Sequence, residues 1–118
     1  MWSRDCPALR EYASTLSSLE RYGEASKLLR KLTPVARRAL GENDETTLRM
    51  RRCYARALVA DPAAMLDDLR EGVTTFEDTE RIARRVLGGA HPITTGIEED
   101  LRGSRAALRA CETPPRGA

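Results

Sequence analysis

Apolar residues recur at steps of three and four along most of this chain, which is the spacing of one face of an α-helix. Five helices are predicted: over about 7–19, over 22–40, between a cap at Asn43 or Asp44 and a stop at Asp61, over about 65–87, and over 93–111. No segment alternates between apolar and polar residues over the length of a β-strand. Short connections make consecutive helices pack antiparallel. The sequence therefore predicts an all-α stack of helical hairpins.

Glycine and proline mark where the predicted helices end or bend. Gly41 follows the second helix and Gly88-Gly89 follows the fourth, and glycine is the usual residue just past a helix end. Pro34 lies inside the second helix, but the apolar stripe continues on both sides of it, so we expect a kink and not a break. The apolar stripe of the fourth helix weakens at residues 78–80, and we expect that stretch to turn toward solvent.

One phrase of the sequence occurs twice. Residues 36–48 read ARRALGENDETTL and residues 83–95 read ARRVLGGAHPITT, a spacing of 47 residues. A second echo pairs residues 12–16 with residues 54–58 at a spacing of 42, and a lengthened connection at 61–65 accounts for the difference. Periods of this size are typical of stacked helical repeats, whose usual role is to hold another protein.

Size and charge narrow the choice further. With 118 residues the chain predicts one domain with a modest core. Its 20 basic and 18 acidic residues leave a net charge of +2, whereas a nucleic-acid-binding protein needs a surplus of lysine and arginine. The first ten residues, MWSRDCPALR, contain no apolar core of a secretory signal, and no apolar run reaches the roughly 18–20 residues that span a bilayer. We therefore expect a cytoplasmic protein, with a nucleic-acid partner unlikely and no membrane association.

The sequence contains no pattern typical of a catalytic or metal site. His91 is the only histidine, so a Ser-His-Asp or Cys-His arrangement would have to be built on this one residue. The acidic clusters at 67–68, 77–80 and 98–100 suit helix starts and solvated faces. No glycine-rich phosphate loop and no metal-ligand spacing occurs. We expect a non-enzymatic protein that uses no metal and no cofactor.

Two short segments carry a more specific signal. Residues 22–25 read YGEA and residues 40–48 read LGENDETTL, and the second segment has a closer counterpart in Leu87-Gly88 with His91-Pro92. These segments resemble, respectively, the turn that opens the second helix and the linker of the tetratricopeptide repeat (TPR), in its kinesin-light-chain subtype. The resemblance covers about residues 7–102, as two full repeats and one further helix.

This resemblance implies a TPR-like α-solenoid of about two and a half repeats. We assign it to residues 7–111 and expect the proline-containing tail 112–118 to be disordered. In the family the first helix of each repeat lines a concave face, where an asparagine holds the backbone of a bound peptide. The chain departs from the family at Glu11 and Cys53, which occupy the asparagine positions, and at Gly72, where alanine is usual.

The third predicted helix presents three arginines and a valine at helical spacing. Guanidinium groups bind carboxylates through paired hydrogen bonds, so this stripe favours an acidic peptide. The candidate partner-binding residues are Arg10 of the first helix together with Arg49, Arg52, Arg56 and Val59 of the third. The alternative is that acidic residues early in the fourth helix neutralise these arginines within the protein; those residues are Asp67, Asp68 and Glu71.

The expected function is therefore protein–protein interaction, in which the concave face of stacked TPR-like helices binds a peptide or helix of a partner. The alternative is a structural role. About three repeats are normally needed for a stable stack, and this chain supplies fewer. In that case the chain forms a homo-oligomer or is a fragment of a longer repeat array.

Overall fold

The computed structural model describes residues 22–61 and 64–112. These residues form four α-helices: α1 Tyr22–Leu40, α2 Glu45–Ala60, α3 Leu66–Val86 and α4 Pro92–Glu112. They coincide with the second to fifth predicted helices, so the all-α prediction is confirmed for the part of the chain that the structure describes. The predicted first helix with Arg10, and the tail residues 113–118, lie outside the described residues.

The four helices pack in chain order, each antiparallel to the next, as their short connections require. The backbone of α2 lies against α1, α3 and α4, whereas the backbone of α1 comes close only to α2 among the four described helices. One core cluster, built around Leu48, Phe76 and Ile97, joins α2, α3 and α4. A second, built around Leu29 and Met50, joins α1 and α2. The helix α2 is therefore shared by both clusters.

The two copies of the repeated phrase form the same kind of turn. Gly41 and Gly88 both have a φ of +93°, a backbone conformation that side-chain-bearing residues rarely adopt. Three residues later the next helix is capped by a side chain, Asp44 in one copy and His91 in the other. The Asp44 Oδ1 accepts a hydrogen bond from the Thr46 amide at 2.8 Å, and the His91 Nδ1 accepts one from the Ile93 amide at 3.1 Å.

The spacing of 47 residues also relates the buried positions of the two hairpins. Fully or nearly buried pairs at this spacing are Leu29 and Phe76, Ala36 and Ala83, Thr47 and Thr94, Met50 and Ile97, and Tyr54 and Leu101. The helices that follow the two turns begin at Glu45 and Pro92, again 47 residues apart. The hairpins α1–α2 and α3–α4 therefore share their turn geometry and these five pairs of buried positions.

Two expectations about helix interiors have different outcomes. Pro34 lies within one continuous helix, α1, so the prediction of a single helix through the proline is confirmed. The prediction that residues 78–80 turn toward solvent is wrong for Thr79, which is fully buried. Its hydroxyl donates a hydrogen bond to the carbonyl of Thr75 at 2.6 Å, so the helix itself satisfies the polar group that the sequence pattern placed outside.

Gly72 marks the closest approach between α2 and α3. A Cβ atom at this position would lie 2.4 Å from Cγ1 of Val59 and 3.4 Å from the carbonyl oxygen of Ala55. Both distances belong to the facing helix, so the missing side chain is what lets α3 pack directly against the backbone of α2. Glycine at position 72 thus has a packing reason.

Candidate functional site

The structure places the three predicted arginines of α2 beside acidic partners. Arg49 forms an ion pair with Glu45, one turn earlier on the same helix, at 3.1 Å. Arg52 donates from Nε to Oδ2 of Asp100 on α4 at 2.7 Å, and Nε of Arg56 lies 3.8 Å from the same oxygen. The carboxylate of Asp100 is about three-quarters buried, and it is paired mainly with Arg52 because Arg52 lies closer than Arg56. Arg56, whose side chain is 57% exposed, keeps most of its guanidinium available to solvent.

Arg52 is held in place by the shape of α4 as well as by charge. A Cβ atom at Gly96 would lie 2.8–2.9 Å from the guanidinium of Arg52, so the guanidinium occupies the space that a side chain at this position would need. Asp100 follows Gly96 by one helical turn and fixes the far side of the same group. Arg52 therefore joins α2 to α4 and is a structural residue of this face.

The acidic residues of α3 that were the alternative partners bind elsewhere. Asp67 lies 3.8 Å from Arg70 on its own helix. The Asp68 carboxylate accepts a hydrogen bond from the Met65 amide at 3.0 Å and so caps the start of α3. Glu71 faces α1, where it pairs with Arg30 at 3.4 Å. Arg49 and Arg52 of α2 are instead paired with Glu45 and Asp100.

Beside this arginine stripe, a cavity of about 290 Å³ opens between α2 and α4. We call it the α2–α4 notch. The apolar lining is Val59 and Ala60 of α2 and the fully buried Phe76 of α3. The charged lining is Arg56, Glu99 and Asp100, and Gly103, Ser104 and Ala107 of α4 form the opposite side. A Cβ atom at Gly103 would meet no other atom within 4 Å, so the notch is open at this point.

The opposite face of α2 carries a polar cluster that ties three helices together. The Tyr54 hydroxyl, on a side chain 9% exposed, accepts hydrogen bonds from Nε and Nη2 of Arg30 at 3.1 and 2.9 Å and donates one to Glu71. The guanidinium of Arg30 also lies over the tyrosine ring, 5.7 Å from its centre. Burial, followed by the hydrogen bond to Glu71, raises the pKa of Tyr54 above its ordinary value. The cluster stabilises the packing of α1, α2 and α3.

His91, the one histidine, caps α4 through Nδ1. No group of three histidine, cysteine, aspartate or glutamate residues placed to hold a metal ion occurs within residues 22–61 and 64–112. None of the helices in the described part of the chain is both long enough and apolar enough to cross a membrane. The notch combines an apolar lining with one accessible guanidinium, which suits a peptide side chain and a nearby carboxylate.

Of the predicted site residues, Arg56 and Val59 line the notch and Arg52 borders it through Asp100, whereas Arg49 does not line it. Sequence reasoning missed Asp100, Phe76 and Gly103. Asp100 was assigned to a solvated acidic cluster and Phe76 to the apolar stripe of its helix. Gly103 carried a usable signal, because a glycine inside an otherwise helical pattern often has a packing or functional reason.

Comparison of the chain with protein-family models, with curated proteins and with solved structures gives no match.

Proposed function

We propose that this protein is a TPR-like repeat domain of the kinesin-light-chain type, which binds a peptide or helix of a partner protein in the α2–α4 notch and catalyses no reaction. The notch is the observation that carries the proposal. Support for the repeat comes from the 47-residue equivalence of the two described hairpins. In such an array α2 and α4 are the first helices of successive repeats, and the space between them belongs to the concave face.

The lining of the notch defines the partner segment that fits it. Val59 and Ala60 offer apolar contact for one aliphatic side chain, and burial of a leucine-sized group contributes about 1.5–3 kcal/mol. Arg56 is the cation beside this contact, since Asp100 is held mainly by Arg52 at 2.7 Å against 3.8 Å for Arg56. Glu99 also lines the notch, so a ligand carboxylate must reach Arg56 on the side away from Glu99. The expected ligand therefore carries an aliphatic residue with an aspartate or glutamate placed to reach Arg56.

Gly103 allows the notch to be closed without disturbing the fold. In a Gly103→Leu variant the new side chain enters open space, and replacing a glycine within a helix favours the helix by several tenths of a kcal/mol to about 1 kcal/mol. Ala106→Leu is the matched control, because Ala106 is an exposed residue of the same helix that does not line the notch. The probe is a phage-displayed library of random peptides, selected against the wild-type protein.

Selected peptides should contain the aliphatic–acidic pair, lose at least tenfold in affinity for Gly103→Leu, and bind Ala106→Leu as they bind the wild type. Arg56→Gln should weaken them and reduce the salt dependence of binding. Selection of no peptide, or of peptides that bind Gly103→Leu unchanged, would refute the notch as the binding site. Light scattering of the free protein tests the alternative, since a monomer at high concentration excludes self-association as its function.

A further inference from the structure

The 47-residue equivalence reveals a charge reversal at one site. In the second hairpin, which is formed by α3 and α4, Arg84 of α3 is held between two carboxylates. Its Nε donates to Oε2 of Glu80 at 2.8 Å, and its Nη2 donates to Glu98 of α4. The hydrogen bond to Glu80, followed by the charges of both glutamates, raises the pKa of Arg84. This position of the hairpin therefore accommodates one cation and two anions.

In the first hairpin the equivalent residues are Thr33, Arg37 and Arg51, so the cation is kept and both carboxylates are lost. Arg51 stands where Glu98 stands in the second hairpin, and two guanidiniums now face the same region. The nearest carboxylates belong to neighbours that already pair: Glu42 lies 3.6 Å from Arg37, and Asp78 is hydrogen-bonded to Arg81. Arg51 itself has no carboxylate within ion-pair distance among the described residues.

Two of these polar side chains are buried and lack a partner. Arg51 is 8% exposed, and within residues 22–61 and 64–112 its guanidinium makes no hydrogen bond or ion pair. Thr33 is also 8% exposed, and its Oγ1 is a buried atom with no hydrogen-bond partner in the same part of the structure. Burial, and next the nearby charge of Arg37, lower the pKa of Arg51. A largely buried guanidinium without a paired carboxylate is costly, so an added anion has a large effect here.

We propose that Arg37 and Arg51 form a binding site for a phosphate-type oxyanion, which takes the place that the carboxylates of Glu80 and Glu98 occupy in the second hairpin. A tetrahedral dianion offers several acceptor oxygens, enough for paired hydrogen bonds from one guanidinium and a single bond from the other. A single carboxylate offers fewer acceptors and less charge. This site is separate from the α2–α4 notch and does not depend on it.

Thermal unfolding of the full chain tests the site, with inorganic phosphate, acetate or chloride compared at equal ionic strength. The wild-type midpoint should rise by about 5 °C at a phosphate concentration about ten times its Kd, and acetate should have little effect. Arg51→Glu places a carboxylate at the position equivalent to Glu98, beside Arg37, so its midpoint should be higher without phosphate and should no longer respond to it. Arg51→Met should also lose the response. Arg49→Glu, with the same charge change at an exposed position of α2, should keep it.

The outcomes separate specific binding from general salt effects. Phosphate stabilises many proteins by exclusion from their surface, and that effect would persist in Arg51→Glu and Arg51→Met. An equal phosphate response in all variants, or an equal response to acetate, would therefore overturn the proposal. Phenyl phosphate distinguishes the source of the oxyanion. If it stabilises the wild type as inorganic phosphate does, the site takes phosphoryl groups of larger ligands; if it does not, the site takes the free ion.

Discussion

Gly72 allows a sharp test of how α2 and α3 pack. By helix propensity alone, Gly72→Ala should stabilise the protein by about 1 kcal/mol. The structure predicts the opposite sign. The new Cβ would lie 2.4 Å from Cγ1 of Val59, a stiff β-branched side chain, and 3.4 Å from a backbone oxygen of α2. Forcing an extra methyl group into a packed interface costs about 1–3 kcal/mol. We expect a net loss of about 1–2 kcal/mol in the free energy of unfolding.

A double-mutant cycle separates the clash from other effects of the substitution. In a Val59→Ala background the obstructing Cγ1 is absent, and Gly72→Ala should then be neutral or stabilising. Gly103→Ala is the matched control, since its Cβ meets no atom within 4 Å and should stabilise by up to about 1 kcal/mol in both backgrounds. Urea unfolding followed by far-ultraviolet circular dichroism measures all of these values. If Gly72→Ala proved as stabilising as Gly103→Ala, the close approach of α2 and α3 would be wrong.

Four further outcomes follow from other contacts. Tyr54→Phe removes a hydroxyl bonded to Arg30 and Glu71, and should lower the free energy of unfolding by about 1–2 kcal/mol. Because the pKa of Tyr54 is raised on folding, the wild type should lose stability as the pH rises above about 10, and Tyr54→Phe should lose less over the same range. Gly88→Ala forces alanine to a φ of +93°, so calorimetry should show a loss of about 1–2 kcal/mol. Asp100→Asn should lower the free energy of unfolding by about 1–2 kcal/mol and make Arg52 react faster with an arginine-specific reagent. Unchanged reactivity of Arg52 would contradict its pairing with Asp100.

Features that depend on neighbours in the chain could be predicted from the sequence. The cap at Asp44 and the turn at Gly41 each depend on a few consecutive residues, and the structure has both. The all-α class follows from apolar spacing in the same way. Arg56 and Val59 were identified because helical spacing alone puts them on one face of α2.

Features that depend on which helices meet could not be predicted. Asp100 pairs with Arg52 across 48 residues of sequence, and periodicity does not indicate which acidic residue lies opposite a given arginine. The acidic residues of α3 were nearer in sequence but bind other groups. Arg51 gave a signal that was overlooked: it falls on the stripe of buried positions of α2, between Leu48 and Tyr54, where a charged residue is unusual.

The order in which the helices contact one another has a consequence for partial unfolding. Among the described helices, the backbones of α1 and α4 do not meet. The backbone of α1 packs against α2, and that of α4 packs chiefly against α3. Either α1 or α4 can therefore open while the remaining described helices stay packed. The amides of α2, which lies against all three other helices, should exchange with solvent most slowly. The notch and the proposed oxyanion site at Arg37 and Arg51 both include residues of α2, so both depend on the helix that is expected to unfold last.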